Sequence, residues 1–380
     1  MKVLIVHPQM KNFGGAELLI VELANQLTKK GVKNDILTAA KSPEIEKLLM
    51  NTRLIIPKND LSFSPTGFNS IKDILKFIRI FRKALKKIKN HYDVINFHNF
   101  PSTWCLWPWK KPSVWMLNEP PNLWSKPNAG FFLKSLNKIR NFIDKLIVRR
   151  SVDVICVSDE LNKNRALKRY GMPSRIINYG INYEFFSRGN AEIAEKKWGL
   201  KGRFAVMQSG MITEVKNQLE SIKTINKAKN HIKNILLILA GKADEVYNKK
   251  IQDYIKKNNL EKYVLLTGNL SREDLRDLYR ACNVGLFPVG QQGGWLAPFE
   301  LLCSGNPIVV SKEMGAASLI NRFDLGIATN DYTAALLEVY HKQEVYMDKA
   351  EKAALFVKKN LGWGIFAEKM IKAFKDSLNR

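Results

Sequence analysis

The opening stretch of the chain decides the fold: KVLIVHPQMKNFGGAELLIVELANQLTKKGVKNDILTA, residues 2–39. A short apolar run comes first, followed by a glycine-bearing loop, an amphipathic helical pattern that ends at Gly31, and a second short apolar run. Short apolar runs separated by a helical segment are typical of parallel strands that are buried on both faces. The stretch therefore predicts a strand–helix–strand unit, which opens an α/β domain.

The same pattern continues and then restarts. The runs YDVINFH, PSVWML and VDVICVS follow in the first half, and RFAVMQSG, NILLILAG, YVLLTG, VGLFPV and PIVVS follow a turn-rich segment at residues 184–190. A length of 380 residues also favours two domains. We predict two doubly wound α/β domains, residues 1–185 and 186–362, that face each other across a cleft.

Composition narrows the class of partner. The formal net charge of +26 predicts an acidic partner such as a nucleotide, a nucleic acid or an anionic lipid. No nucleic-acid-binding module accompanies the charge, so nucleic acid ranks low. The four cysteines show no metal-like spacing, and no run resembles a signal peptide or a membrane span, which favours a cytoplasmic protein with buried thiols.

Ligands of open parallel sheets bind at the carboxyl ends of strands, and the chain has neither GxGxxG nor a P-loop there. In GGAE, residues 14–17, the amides of Gly14 and Gly15 are suited to phosphate, although a plain tight turn fits these residues equally well. Lys216 in SGMITEVKN follows a strand and can neutralise a phosphate, whereas most loop lysines are only solvated.

Two further polar residues follow strands. In GQQGGWLAPFELL, Glu300 can accept two adjacent hydroxyls, as a ribose offers, or can simply complement the dipole of its helix. His98 ends the run YDVINFH, where a ligand role and a structural role are about equally expected.

A basic amphipathic helix is predicted over residues 70–89, with Lys76, Arg79 and Lys83 among its cations. Such a helix either lies on an anionic membrane or packs on the sheet with a solvated basic face. A second basic helix, FFLKSLNKIRNFIDKLIVRR, and the loop TWCLWPW favour the membrane, because tryptophans suit the headgroup level. The tryptophans of this loop are Trp104, Trp107 and Trp109.

Together these motifs resemble the retaining glycosyltransferases of family 4, which have the GT-B fold of two Rossmann-like domains. The resemblance rests on GGAE, VDVICVSDELNKNRALKRYG, INYGINYEFF, GNLSREDLRDLYRACNVGLFPV and FELLCSGNPIVVS, in that order. It implies that the C-terminal helix, residues 363–380, crosses back to the N-terminal domain. It also implies that the N-terminal domain binds the acceptor and the C-terminal domain binds a nucleotide sugar.

The resemblance implies roles for residues of this chain. The family's ribose-binding glutamate corresponds to Glu300, and its sugar-binding glutamate corresponds to Gln292. Its arginine and lysine for the diphosphate correspond to Met211 and Lys216, and the histidine that commonly follows the strand PSVWML corresponds to Asn118. The catalytic set is then His98, Asn118, Lys216 and Gln292. The other expected donor contacts are Gly14, Gly15, Gly210, Met211, Gly293, Gly294, Trp295, Leu296 and Glu300.

The three substitutions at Met211, Gln292 and Asn118 remove charge or a titratable group, so either the donor differs or catalysis is impaired. We expect an active hexosyltransferase with a glycan or lipid-linked acceptor, peripheral on an anionic membrane at the inner face of the cell membrane. The alternative is a non-catalytic nucleotide-sugar-binding relative. Neither a cofactor nor a metal is expected, because the chain has no DxD sequence.

Overall fold

The computed structural model describes residues 1–11, 14–57, 71–121, 131–290 and 295–380, and only the backbone of residues 131–136. The chain divides into unit 1, Met1–Gly180 with Trp363–Arg380, and unit 2, Ile181–Gly362. The division at Gly180 precedes the expected boundary at residue 185. The reason is that Asn182 caps a short helix, Tyr183–Phe186, which packs on helices of unit 2.

Unit 1 contains a seven-stranded parallel sheet in the order β3-β2-β1-β4-β5-β6-β7. Its strands are β1 (Lys2–Val6), β2 (Lys33–Leu37), β3 (Arg53–Ile55), β4 (Val94–His98), β5 (Ser113–Leu117), β6 (Val154–Val157) and β7 (Ser174–Ile176). Its first helices are α1 (Gly15–Lys29), α2 (Pro43–Lys47), α3 (Ile71–Ile88), α4 (Phe131–Ser151) and α5 (Glu160–Tyr170), with 3-10 helices at Lys89–His91 and Ser102–Cys105.

Unit 2 contains a six-stranded parallel sheet in the order β10-β9-β8-β11-β12-β13. Its strands are β8 (Phe204–Ser209), β9 (Ile235–Ala240), β10 (Val264–Gly268), β11 (Val284–Phe287), β12 (Ile308–Ser311) and β13 (Ile327–Thr329). Its helices are α6 (Tyr183–Phe186), α7 (Ala191–Trp198), α8 (Gln218–Ala228), α9 (Glu245–Lys257), α10 (Arg272–Ala281), α11 (Leu296–Cys303), α12 (Ala317–Arg322), α13 (Tyr332–His341) and α14 (Gln343–Asn360), with a 3-10 helix at Glu214–Lys216.

The last helix, α15 (Trp363–Leu378), belongs to unit 1, where it contacts α1 and strands β4 to β6. Its apolar face is buried, with Phe366, Met370 and Phe374 at 1% exposure or less. Two ion pairs, Lys30–Glu368 and Arg175–Asp376, lie at its solvent edge. The return of this helix follows from burial, because its apolar stripe packs against the elements of unit 1.

The central strands are buried along their whole length, as continuous apolar runs predict for a sheet covered on both faces. Helix α3 confirms the helical pattern of residues 70–89 and buries Ile74, Phe77, Phe81 and Leu85. It also leaves Leu75 57% exposed, and on α4 Phe142 is 61% exposed. Nowhere in the described ranges is a helix long and apolar enough to cross a membrane.

Candidate active site

The carboxyl end of β8 is shaped by two glycines. Gly210 has φ +125° and Gly241, after β9, has φ +151°. A Cβ atom on Gly241 would lie 2.0 Å from the carbonyl oxygen of Gly210, so only glycine fits there. The two loops therefore run in contact: the Gly210 amide donates to Ala240 and the Ile212 amide to Lys242. This brings the backbone after β8 and β9 together at one edge of the sheet.

Two buried glutamines hold the loop that carries Met211 and Lys216. Gln208 donates to the Lys216 carbonyl at 2.8 Å, and Gln218 donates to the Met211 carbonyl at 2.9 Å. Gln218 also accepts from the Thr213 amide at 3.2 Å. Because both glutamines are at most 2% exposed, the loop has a fixed shape.

Lys216 lies next to the end of β11. The following residue, Asn217, adopts a left-handed conformation with φ +54° and donates to the Pro288 carbonyl at 3.1 Å. Met211, at the position where the resemblance expects an arginine, is 55% exposed. An apolar side chain is thus exposed to solvent on the same loop as the lysine. Gln292, Gly293 and Gly294 lie outside the described residues.

Glu300 is a half-buried residue of α11. The protein packed around its carboxyl group raises the pKa of Glu300 to about 7, although the Arg272 guanidinium and a hydrogen bond with Tyr279 act in the opposite direction. Burial, and then the charge of Glu300, raise the pKa of Tyr279 well above 10, so its hydroxyl stays protonated. That hydroxyl is also hydrogen-bonded to the Ser209 hydroxyl at the end of β8. Tyr279 therefore links Glu300 to the loop that carries Lys216.

Sequence reasoning missed Arg272 and Tyr279. Both lie on α10, and their separation of about two helical turns puts them on one face of that helix. Arg272 is held over the rings of Phe185 and Phe186, at 5.2 and 5.6 Å from their centroids. The signal was present in SREDLRDLY, where the charged and aromatic residues recur at helical spacing.

The N-cap residue of α11 is Trp295, whose side chain makes no hydrogen bond to the helix start. Trp295 is 3% exposed and stacks on Phe299, with ring centroids 5.0 Å apart. It therefore belongs to the core at the base of the helix and offers a ligand little side-chain surface. Leu296 opens the helix and is half-buried.

In unit 1, His98 at the end of β4 is fully buried. Its Nε2 lies 2.8 Å from the Asn96 side-chain oxygen. Burial, and secondarily the His7 ring, lower the pKa of His98 to about 3. The imidazole is therefore neutral at physiological pH and lies inside the sheet.

Asn118 follows β5, and both the nitrogen and the oxygen of its side-chain amide are hydrogen-bonded. It donates to the Asn99 side-chain oxygen at 2.9 Å and accepts from the Tyr179 hydroxyl at 2.7 Å. Asn99 itself is in the left-handed region, with φ +53°. The amide is half-buried and fixed at the carboxyl edge of the sheet, where it can hydrogen-bond a neutral hydroxyl.

The GGAE turn opens α1 with Gly14 as its N-cap residue. Its amide donates to Glu17 Oε2 at 3.1 Å, and Glu17 Oε1 lies 3.5 Å from His7 Nε2. Glu17 therefore occupies the first amide of the helix and complements its dipole. The predicted use of the Gly14 amide by a phosphate is blocked in this conformation, while Gly15 remains in the first turn.

The predicted acceptor or membrane residues are brought together in part. Arg79, Lys83, Trp104, Trp107 and Trp109 line one groove of about 660 Å³ on unit 1. Lys76 is exposed on the same helix but does not line the groove. Across the described ranges, no group of three or more His, Cys, Asp or Glu residues is arranged to hold a metal ion.

Two family models match nearly the whole chain between them. The model of the Glycosyl transferases group 1 matches residues 190–376, and that of Glycosyltransferase Family 4 matches residues 13–185. Each match corresponds closely to one of the two units. The two matches confirm the family resemblance that the sequence motifs predicted.

Curated relatives and solved structures agree with the family models. The 2-deoxystreptamine N-acetyl-D-glucosaminyltransferase of Niallia circulans is 23% identical, over 87% of this chain and 93% of its own length. The UDP-Gal:alpha-D-GlcNAc-diphosphoundecaprenol alpha-1,3-galactosyltransferase of Escherichia coli is 28% identical, over 69% of each chain. The crystal structure of Anabaena HepE in complex with UDP and glucose shares 15% identity with a TM-score of 0.77, over 99% of this chain and 100% of that one. That likeness shows the fold.

Proposed function

The chain belongs to the glycosyl transferases of group 1 and family 4 and has the GT-B fold, and on that premise we propose its reaction. It transfers a hexose from a nucleotide diphosphate sugar to a glycan or lipid-linked acceptor, with retention of configuration and without a metal ion. The observation that carries the proposal is the linkage of Glu300, through Tyr279 and Ser209, to the loop of Lys216 at one edge of the unit 2 sheet.

In this proposal, the ribose, the diphosphate and the sugar of the donor each bind to a suitable group of the protein. The ionised Glu300 carboxylate accepts two ribose hydroxyls. The Lys216 ammonium and the first amides of α11 stabilise the diphosphate, since amides at a helix start favour anions. Gln292, outside the described residues, hydrogen-bonds the transferred sugar.

The chemical step needs no protein nucleophile. The acceptor hydroxyl attacks the anomeric carbon on the face that the diphosphate leaves, and its proton passes to a departing phosphate oxygen. Lys216 stabilises the charge that develops on that diphosphate. Asn118, held by Asn99 and Tyr179, is placed to orient a hydroxyl. No step passes through His98, because its neutral ring is buried.

The acceptor proposal rests on the surface of unit 1. Among its described side chains, helix α4 exposes four apolar residues next to several cations, namely Ile139, Phe142, Ile143 and Leu146. Helix α3 adds exposed cations such as Lys76 and Arg79. Exposed apolar side chains among basic residues suit the surface of an anionic membrane. The Escherichia coli relative, whose name includes a diphosphoundecaprenol acceptor, supports an acceptor of this kind. We therefore place the chain on the cytoplasmic face of the membrane.

Thermal shift with UDP-, GDP- and ADP-sugars, followed by transfer assays with membrane-extract acceptors, tests the proposal. We expect one nucleotide class to stabilise the protein and its sugar to be transferred. Failure of every donor to bind or react would refute it. If transfer appears only after Met211→Arg and Gln292→Glu are combined, the native chain is instead a non-catalytic relative.

A further inference from the structure

The groove on unit 1 is formed by three segments that are distant in sequence. We call it the Trp groove. Helix α3 and the loop after β4 provide most of its lining, and Ile147 of α4 completes it. Its lining residues are Leu75, Ile78, Arg79, Arg82, Lys83, Lys86, Trp104, Trp107, Trp109 and Ile147. Four of these are cations, six are apolar or aromatic and none is acidic, so the lining suits an anion that also carries apolar surface.

Arg82 is the most informative of these cations. Its guanidinium donates to the Trp104 carbonyl at 3.3 Å and lies 5.5 Å from the Trp107 ring centroid. Its Nε is buried and has no hydrogen-bond partner within the described part of the chain. A buried donor without an acceptor costs stability. Arg82 also lines the groove, so its guanidinium can pair with an anion that binds there.

The buried carboxylate on the facing helix does not satisfy Arg82. Asp144 of α4 is fully buried, but it accepts from Trp104 Nε1 at 2.8 Å and pairs with Arg169, also at 2.8 Å. Tyr170 donates to the same carboxylate at 2.9 Å. The charge of Asp144 is therefore neutralised by Arg169, and no carboxylate of the described residues lines the groove beside its cations.

Two cations of the groove lie away from the reacting edge of unit 1. Arg82 lies about 16 Å along the axis of α3 from Ile71, at a rise of about 1.5 Å per residue. Beyond Arg82, α3 leads through Lys89–His91 into the amino end of β4. Arg82 and Lys86 thus lie towards the amino edge of the sheet, whereas Asn118 lies at the carboxyl edge. The cations at this end of the groove therefore lie away from Asn118, while the loop that carries its tryptophans begins at the carboxyl end of β4.

We propose that the Trp groove binds an anionic phospholipid of the membrane as an anchor. Arg82, with Arg79, Lys83 and Lys86, binds the phosphate, and one acyl chain lies against the tryptophans, Leu75 and Ile147. A free phosphate would leave this apolar lining in water, while a lipid covers it. The exposed Ile71 and Leu75 on α3, at 40% and 57%, continue the apolar lining out to the surface. The proposal rests on the proposed function only in placing the chain at a membrane.

Titration of the full chain with dihexanoyl-phosphatidylglycerol, below its micelle concentration and followed by calorimetry, tests the site directly. Matched titrations use dihexanoyl-phosphatidylcholine and inorganic phosphate. We expect saturable binding of the anionic lipid, with the other two weaker by at least about tenfold, because each lacks either the net charge or the chain. Inorganic phosphate binding as tightly would assign the groove to a soluble anion and overturn the proposal.

Matched single-charge variants separate a site from diffuse surface charge. Arg82→Gln should weaken the short-chain lipid by about tenfold, and Lys87→Gln, an exposed lysine of α3 outside the groove, by less than about twofold. Equal losses would refute the site. If circular dichroism shows that Arg82→Gln does not fold, the exposed Arg79→Gln replaces it, with a loss of at least about threefold expected. Flotation with phosphatidylglycerol vesicles should rank the variants in the same order, and another order would count against the site.

Brominated acyl chains quench the fluorescence of tryptophans that they contact, so vesicles with such chains test the apolar half of the proposal. These vesicles should quench the tryptophan fluorescence of the native chain. Replacement of Trp104, Trp107 and Trp109 by Phe should remove most of that quenching. Unchanged quenching in the triple variant would show that the chains contact other tryptophans and would overturn the placement. Nucleotide thermal shift of the native chain is a separate measurement, so failure of the lipid site and failure of the transferase proposal can be told apart.

Discussion

The two units share one strand order, and they differ in what lies at the starts of their helices. If the strands of each unit are numbered along the chain from one, both sheets have the spatial order 3-2-1-4-5-6, and unit 1 adds a seventh strand after the sixth. In unit 1 the amide at the start of α1 is occupied by Glu17 of the chain itself. In unit 2 the N-cap residue of α11, Trp295, makes no side-chain hydrogen bond to the helix start, and residues 291–294 before it lie outside the described ranges. The start of α1 is therefore closed to an anion by the chain's own carboxylate, and no such contact is found at α11 among the described residues, which supports the proposed diphosphate site in unit 2.

The units also differ in their exposed apolar surface. In unit 1 the exposed apolar residues of α3 and α4 accompany the Trp groove. In unit 2 they are distributed over separate elements, such as Ile193 on α7, Val246 on α9 and Leu355 on α14. Single exposed apolar residues need no special explanation, whereas a concentration of them marks a contact surface. This difference supports the proposal that unit 1 provides the membrane-contacting surface and unit 2 the donor site.

Lys216→Ala should produce the largest effect. It removes a cation from the developing diphosphate charge, so kcat is expected to fall by about 100-fold to 1,000-fold. The matched variant is Lys11→Ala, an exposed lysine in the loop after β1 of unit 1, which should change kcat by less than about threefold. Steady-state transfer assays measure kcat for both variants. Equal losses of kcat would mean that Lys216 has no special role and that the diphosphate site is not assigned to unit 2.

Glu300→Gln should have the next largest effect. The ionised carboxylate accepts both ribose hydroxyls, and the pKa of Glu300 is about 7, so nucleotide affinity should rise as the pH increases through 7. At pH 8 the variant should bind about tenfold more weakly, and its affinity should no longer depend on pH in this range. Calorimetry between pH 6 and 8 measures this, with Glu344→Gln on α14 as the exposed control. An unchanged pH profile in Glu300→Gln would reject the assignment.

The same pKa has a consequence for stability with the opposite sign. Because the folded pKa is raised from 4.5, the folded chain binds the proton more tightly than the unfolded chain. The contribution of Glu300 to stability is therefore full below about pH 4.5 and is lost as the pH rises to about 7. Denaturant unfolding of the ligand-free protein should show this loss, and Glu300→Gln should reduce it.

Glu17→Ala should have a smaller effect that falls on folding. Loss of the carboxylate at the start of α1 is expected to cost about 1 kcal/mol in the free energy of unfolding. Nucleotide affinity should stay the same, because the contact lies within unit 1. A loss of nucleotide affinity comparable to that of Glu300→Gln would mean that both helix starts serve the donor. Denaturant unfolding and nucleotide titration measure the two effects separately.

Met211→Arg should produce the smallest change. The new guanidinium would lie on the same fixed loop as Lys216, so affinity for the nucleoside diphosphate should rise by about threefold at low salt and less at high salt. Met211→Gln provides a control that has no charge. Calorimetry at two salt concentrations gives both values. A salt-independent gain, or an equal gain with glutamine, would show that charge is not what this loop lacks.

Much of the fold could be predicted from local patterns. Buried strands such as β1, β4 and β9 are continuous apolar runs, and helical spacing predicted α3 almost to its ends. The edge strands β3, β7 and β13 are three residues long, too short for a period to be read. The sequence could predict that Lys216 and Glu300 lie near one edge of the sheet, because each comes after a strand and the carboxyl ends of parallel strands meet at one edge. Their role at that edge stays a prediction.

By itself the sequence determined the α/β class, the two units and the family, since these depend on residue periods and motif order along the chain. Only the tertiary structure decided that His98 is buried, that Glu17 occupies the Gly14 amide and that Tyr279 joins Glu300 to Ser209. It alone also assembled the Trp groove from α3, α4 and the loop after β4. The physical reason is that hydrogen bonds, burial and pKa shifts depend on which distant segments pack together, and no local pattern encodes that contact.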